Sequence, residues 1–111
     1  MKNISTTDSS IRALYSAWQA AELHTLHVFD KVNEDYAHPR YVEAYSQSHA
    51  MLLELLKPSF SLYGAWAKLQ IASYCEDYLK DAEDPECTII APRAVKSAIQ
   101  DLESLIGADN L

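Results

Sequence analysis

Glycine and proline are scarce in this sequence. Its 111 residues include two glycines and four prolines. A β-sandwich or β-barrel of this length needs many tight turns, and tight turns favour Gly, Pro and Asn. The scarcity of these residues therefore predicts a few long helices joined by short connections. Hydrophobic residues make up 49% and charged residues 23% of the chain, a globular composition that excludes a disordered one.

Cysteine motifs and long apolar runs are also missing. Cys75 and Cys87 are not spaced as C-x-x-C and stand in no Cys/His cluster, which excludes a zinc ribbon or a thioredoxin motif. We interpret them as reduced thiols, with a disulfide between them as the alternative. The first ten residues lack the apolar core of a secretory signal, and no apolar run reaches the ~18 residues that span a bilayer. We therefore expect a cytoplasmic protein, or one exported without a cleavable signal.

Basic residues are fewer than acidic residues in this chain. The chain has 9 Lys and Arg against 16 Asp and Glu, a net charge of −7. Residues 76–111 have nine acids and three bases, a net −6, whereas residues 1–75 have a net −1. Sequence-independent binding to nucleic acid requires Lys and Arg to displace counterions, and anionic membranes attract basic segments. We therefore expect neither nucleic acid nor a membrane as a direct partner.

The prolines divide the chain into four segments whose apolar residues have helical spacing. We predict helices over residues 9–36, 39–57, 92–106 and from Ser59 or Ser61 to Ala82, with a loop at 83–91. Pro39 suits a first helical turn, and Gly107 stands where a helix would end. Four helices with short connections predict an all-α fold, an antiparallel bundle over residues 9–107. Residues 1–8 would be a flexible N-terminus and 108–111 a tail.

The apolar residues also predict how the helices pack. On the first segment, Ala13, Ala17 and Ala20 form a stripe of small residues that would let a neighbouring helix approach closely. The third segment is apolar on nearly every side from Leu62 to Cys75, so we expect a central helix or a second apolar face that forms a homodimer. The fourth segment has the clearest core stripe: Val95, Ala98, Ile99, Leu102, Leu105 and Ile106.

Acidic and tyrosine side chains concentrate around the end of the third segment. Tyrosine is enriched at protein interfaces, and an acidic surface steers a basic partner toward it. Tyr36, Tyr41 and Tyr45 cluster around the first connection and are weaker candidates of the same kind. We predict a partner-binding patch formed by Tyr74, Glu76, Asp77, Tyr78, Asp81, Glu83, Asp84 and Glu86.

Histidines offer a weaker alternative. His24 and His27 share a helix face, and two imidazoles with Asp30 could bind Zn²⁺ or Fe²⁺. The Glu-x-x-His pairs of di-iron bundles are missing, however. His49 lies on the apolar side of the second segment, where a hydrogen-bonded structural histidine is the usual case.

The sequence has no glycine-rich phosphate loop, no G-x-S-x-G and no H-E-x-x-H. We therefore predict a small acidic protein without enzymatic activity or a cofactor, which binds and regulates or inhibits a protein partner with a basic surface. Immunity proteins, secretion chaperones and phage inhibitors are analogues in size and charge. The alternative is a helical bundle that binds a ligand or metal through histidines of its first and second helices.

Overall fold

The computed structural model consists of four α-helices: α1 (Lys2–Lys31), α2 (Pro39–Leu55), α3 (Leu62–Asp81) and α4 (Pro85–Asn110). The structure describes residues 2–81 and 85–110, and the side chains of residues 8–75 and 88–107. No strand occurs within these ranges, so the predicted all-α class is confirmed. None of the described helices is long and apolar enough to cross a membrane.

Contacts between side chains give the directions of the helices. Thr25 Oγ1 donates to the carbonyl of Ala44 at 3.3 Å and Ser48 Oγ donates to Glu22, so α1 and α2 are antiparallel. Ser61 Oγ donates to Asp8 and Tyr74 donates to Glu22, so α1 and α3 run parallel. Helix α3 ends at Asp81 and α4 begins at Pro85, and Asp101 of α4 bonds Lys68 of α3, which makes that pair antiparallel. The four helices therefore alternate in direction along the chain.

The molecule is elongated and flat, with extents of 55 × 27 × 15 Å. Helix α3 lies between α1 and α4, and the described parts of α1 and α4 do not contact each other. Helix α2 packs along the C-terminal part of α1, and its last residues reach the core beneath α3. The radius of gyration is 15.6 Å, whereas about 13 Å is usual for a compact domain of this length.

Two hydrophobic cores hold the helices together. The larger one joins all four helices through buried residues that include Trp18, Leu55, Ile71 and Ile90. The smaller one joins the end of α1 to the start of α2 through Val28, Val32 and Ala44. Among the described side chains, the second core contains residues of α1, α2 and their connection and none of α3 or α4.

A buried ion pair fixes the α3–α4 pair against the α2–α3 connection. Lys68 and Asp101 have side chains that are 1% exposed, and their charged atoms are 2.5 Å apart. Lys68 also donates to the carbonyl of Lys57 at 2.8 Å, and Asp101 accepts from the amide and hydroxyl of Ser59 at 2.8 and 2.7 Å. Such burial of charge is tolerated because each group is paired and hydrogen-bonded.

The predicted loop at residues 83–91 is wrong from residue 85 onward, because α4 begins at Pro85 and includes Pro92. An interior proline costs a helix roughly 3 kcal/mol, since it removes one backbone hydrogen bond and crowds the preceding turn. Ile90 and Ala94 lie on either side of Pro92 and are buried in the larger core. We attribute the continuation of the helix to this packing, which offsets the cost.

The limits of α1 also differ from the prediction. The helix begins at Lys2 and not near Ser9, and Asp8 lies within it, where its carboxylate accepts a hydrogen bond from Arg12 one turn later. It ends at Lys31, before the predicted limit at residue 36, because Asn33 and Glu34 adopt positive φ of 57° and 59°. The amide of Glu34 then donates to the carbonyl of Phe29, a bond that closes the helix end.

The predicted packing faces need two further corrections. Ala13, Ala17 and Ala20 are exposed, and the close approach of a neighbouring helix occurs at Thr25 and Ala44 instead. In α4 the buried positions are Ile90, Ala94, Ser97, Ala98 and Asp101, whereas Val95, Ile99 and Ile106 are exposed. Gly107 lies inside α4, which continues to Asn110, so it is not the residue after a helix end.

Candidate interaction surfaces

The predicted partner-binding patch lies at the junction of α3 and α4. Tyr74 is its one member whose side chain is described. The backbone of Glu76, Asp77, Tyr78 and Asp81 belongs to α3 and that of Glu86 to α4, but their side chains lie outside the described residues, as do Glu83 and Asp84 entirely. Six of its eight residues therefore belong to helices, five to α3 and one to α4.

Tyr74 is half-buried and serves the packing of three helices. Its ring meets the edge of Trp18 at 5.9 Å and an interplanar angle of 89°. Its hydroxyl donates to Glu22 Oε2 at 3.3 Å, while the other carboxylate oxygen of Glu22 accepts from the buried Ser48. Glu22 thus bridges α2 and α3, a role that the sequence did not predict, because its partners lie 26 and 52 residues away.

The histidines do not form a metal site among the described side chains. His24 and His27 are exposed, and no group of three His, Cys, Asp or Glu residues surrounds a common point in the described part of the chain. His24 lies at the edge of a shallow cavity of about 180 Å³ between α1 and α2, which Arg40, Glu43 and Gln47 also line. A guanidinium at that place disfavours a bound cation.

The tyrosines near the first connection lie in one series of ring contacts, which we call the aromatic ridge. The ridge runs from the α1 C-terminus along α2 through Phe29, Tyr36, Tyr41, Tyr45 and His49. Neighbouring ring centres are 4.6–6.1 Å apart, and the imidazole of His49 is stacked on Tyr45 at an angle of 11°. The predicted clustering of the three tyrosines is confirmed, whereas the sequence reasoning missed Phe29 and His49.

The helical geometry explains the ridge. Tyr41, Tyr45 and His49 are four residues apart, so they follow one face of α2. Tyr36 lies in the connection that follows Asn33 and Glu34, and its side chain is 71% exposed. The spacing of four residues was a signal in the sequence, but the position of Phe29 against this face depends on the packing of α1 on α2.

A second aromatic cluster joins α1 to α3. Tyr15, Tyr63 and Trp66 make mutual ring contacts at 5.3–6.2 Å. The guanidinium of Arg12 lies 4.2 Å from the centre of the Tyr63 ring, a cation–π contact. Burial raises the pKa of the Tyr15 phenol, and the nearby Tyr63 adds to this shift. Such an arrangement favours a neutral, structural phenol.

Arg12 also pairs with a carboxylate. Its Nε donates to Asp8 at 2.8 Å, and this hydrogen bond, followed by one from Ser61, lowers the pKa of the Asp8 carboxyl. The same bond with Asp8 raises the pKa of the Arg12 guanidinium. Because Ser61 belongs to the α2–α3 connection, the group ties α1 to that connection.

One face of the molecule is apolar and exposed. On α3 it includes Leu62, Trp66 and Leu69, which are 68%, 46% and 42% exposed. On α4 it includes Val95, Ile99 and Ile106, which are exposed as well. We call these six residues the front face. The sequence showed that all six residues are apolar. The prediction assigned the three α4 residues to the core, and they are exposed.

No known protein family, curated protein or solved structure matches the chain.

Proposed function

We propose that this protein is a non-enzymatic interaction protein that binds a protein partner with a basic surface and thereby regulates or inhibits it. The observation that carries the proposal is the aromatic ridge: a series of aromatic rings at one end of a chain with a net charge of −7. An arginine or lysine side chain can lie over a tyrosine face while acidic groups attract it from a distance. Self-association is the second part of the proposal, and the exposed front face supports it.

The course of α3 supports a common site for the ridge and the predicted acidic patch. Tyr74 and Glu22 are at the same level, and α1 and α3 run parallel from there. Asp81 and Phe29 both lie seven residues further along their helices, about 10 Å at the usual rise per residue. The acidic end of α3 therefore extends toward the end of the molecule that has the ridge, and a basic segment could contact both.

The proposal is tested with a fluorescently labelled oligo-arginine peptide, whose anisotropy is measured against protein concentration at low and high salt. We expect binding at low salt that weakens as salt screens the attraction. Tyr36→Ala should weaken binding about two- to five-fold, the range expected for one exposed cation–π contact of about 0.5–1 kcal/mol. Tyr36→Phe should restore most of the affinity, since a phenyl ring keeps the attractive face.

Two matched charge variants separate a site from bulk attraction. Asp77→Lys with Asp81→Lys changes the predicted patch, whereas Glu43→Lys with Glu103→Lys makes the same change of net charge at two exposed positions elsewhere. The first pair should abolish binding, and the second should leave most of it. Equal losses of peptide affinity in the two double variants would show that net charge alone attracts the peptide. Unchanged binding in Tyr36→Ala would exclude the ridge as the binding site.

A further inference from the structure

The front face faces away from the core on both of its helices. At about 100° per residue, Leu62 lies half a turn around α3 from Ile71, which is fully buried in the larger core. Ile106 lies half a turn around α4 from Ser97, whose hydroxyl donates to the carbonyl of Leu56 at 2.8 Å. Ile71 and Ser97 both point toward the end of α2, so the exposed apolar residues of α3 and α4 point to the same, opposite side.

The front face has no exposed charge on α3. Lys68 is the single charged residue between Ser59 and Cys75, and it is buried in its pair with Asp101. The α3 part of the face therefore differs from the rest of an acidic surface, whereas on α4 the exposed Lys96 and Glu103 border the face. A basic partner gains nothing there from charge attraction, whereas a second copy can bring apolar residues against apolar residues and keep its acidic regions apart.

The chain exposes more surface than a folded monomer of its mass usually does. The accessible surface of the chain is 7463 Å², about 1,300 Å² more than the ~6,200 Å² typical of a folded monomer of 12.5 kDa. A standard interface buries about 800 Å² on each partner. This excess belongs to the whole elongated chain and is larger than one partner's share of such an interface. The flat shape leaves one side of the helical layer without the second layer that domains usually have.

We propose that the front face is the interface of a symmetric homodimer, in which α3 and α4 of one copy pack against α3 and α4 of the other around a two-fold axis. Such an axis pairs the same patch with itself, as a self-complementary apolar stripe requires. Trp66 would be the central anchor, because it is the largest residue of the face and is held by Tyr15 and Tyr63 within its own chain. This inference rests on the self-association in the proposed function and names the surface through which it occurs.

The test measures the mass of the full-length protein in solution by sedimentation over a range of concentrations. The wild type should have twice the mass of one chain. Leu62→Glu with Leu69→Glu should give the mass of one chain with unchanged helicity by circular dichroism, since both side chains are exposed. Val42→Glu with Ile89→Glu is the matched control, because these residues are also exposed and apolar but lie off the front face; it should remain a dimer.

Trp66 supplies a second measurement. In the dimer its indole becomes buried, so its fluorescence should move to shorter wavelength and resist acrylamide quenching as concentration rises. Trp18 is buried in either state, and Trp66→Phe identifies which indole responds. A wild type that stays monomeric at every concentration would overturn the inference, as would a dimer that persists in the Leu62→Glu, Leu69→Glu variant.

The oligo-arginine experiment, repeated on the monomeric variant, keeps the two proposals separate. If the dimer fails and peptide binding persists, the interface and the proposed self-association are wrong, and the proposed binding of a basic partner stands. If the peptide does not bind but the dimer forms, the partner chemistry is wrong and the interface stands.

Discussion

At the scale of single residues, the two glycines have opposite structural roles. A Cβ added at Gly64 would overlap the hydroxyl of Ser59 and lie 3.2 Å from Ile11 Cδ1. Ser59 cannot turn away without loss, because its hydroxyl donates to the buried Asp101. A Cβ added at Gly107 would meet nothing within 4 Å. Neither glycine has a positive φ, so space alone distinguishes them.

Alanine substitutions should therefore change stability in opposite directions. Gly107→Ala should raise the free energy of unfolding by roughly 0.5–1 kcal/mol, the usual gain of helix propensity. Gly64→Ala has the same gain but suffers an overpacking cost of about 1–3 kcal/mol, so we expect a net loss of about 1 kcal/mol. Urea denaturation of both variants measures this difference. A Gly64→Ala variant as stable as Gly107→Ala would mean that Ser59 moves freely.

At the scale of helices, the buried ion pair determines how α3 and α4 meet the α2–α3 connection. Lys68 comes from α3, Asp101 from α4, and the carbonyl of Lys57 and the polar groups of Ser59 from the connection. Any shift of α4 by one turn would separate these groups and leave charges without partners. The pair thus selects one register of the helices. Apolar contacts of small residues such as Ala94 and Ala98 define that register less well.

Substitutions of the pair should be strongly non-additive. Lys68→Met or Asp101→Leu alone should cost about 3–5 kcal/mol, because each leaves an unpaired buried charge. The double variant should cost less than the sum of the two, with Ser59 still lacking its acceptor. Lys57→Met breaks the exposed pair with Glu54 and should cost at most about 1 kcal/mol. Additive losses in urea denaturation would contradict the role of the pair.

At the scale of the whole molecule, stability and association should be linked. A dimer that buries the front face stabilises the folded state by mass action, so the melting temperature of the wild type should rise with protein concentration. The Leu62→Glu, Leu69→Glu variant should melt at one temperature throughout. Scanning calorimetry at several concentrations measures both proteins. A wild-type melting temperature that does not change with protein concentration would indicate a monomer and contradict the proposed interface.

Much of the architecture could be predicted from the sequence, because it depends on local chemistry. The spacing of apolar residues predicted four helices, and the second helix was placed within two residues of its limits by Pro39 and Pro58. The apolar character of α3 predicted either a central place or a dimer face, and α3 does lie between α1 and α4. Pro92 misled the prediction, since a proline signals a helix end locally while the burial of Ile90 and Ala94 is decided by distant parts of the chain.

The candidate surfaces were less predictable. The cluster of Tyr36, Tyr41 and Tyr45 follows from sequence spacing, but Phe29 joins it only through the packing of α1 on α2. Tyr74 looked like an interface residue, and the structure places it against Trp18 and Glu22 as well. The amphipathic stripe of α4 indicated a core face. The spacing of apolar residues shows that a helix has an apolar face, but it does not show what covers that face.

By itself the sequence determined the helical class, the number of helices, the acidic charge and the apolar nature of α3, because each depends on composition or short-range spacing. The tertiary structure decided that Lys68 and Asp101 pair across 33 residues, that Glu22 bridges two helices, and that Leu62, Trp66 and Ile99 remain exposed on one side. These features depend on which faces meet. A single helix can present several faces of nearly equal hydrophobicity, and the choice among them is made by the packing of the whole chain.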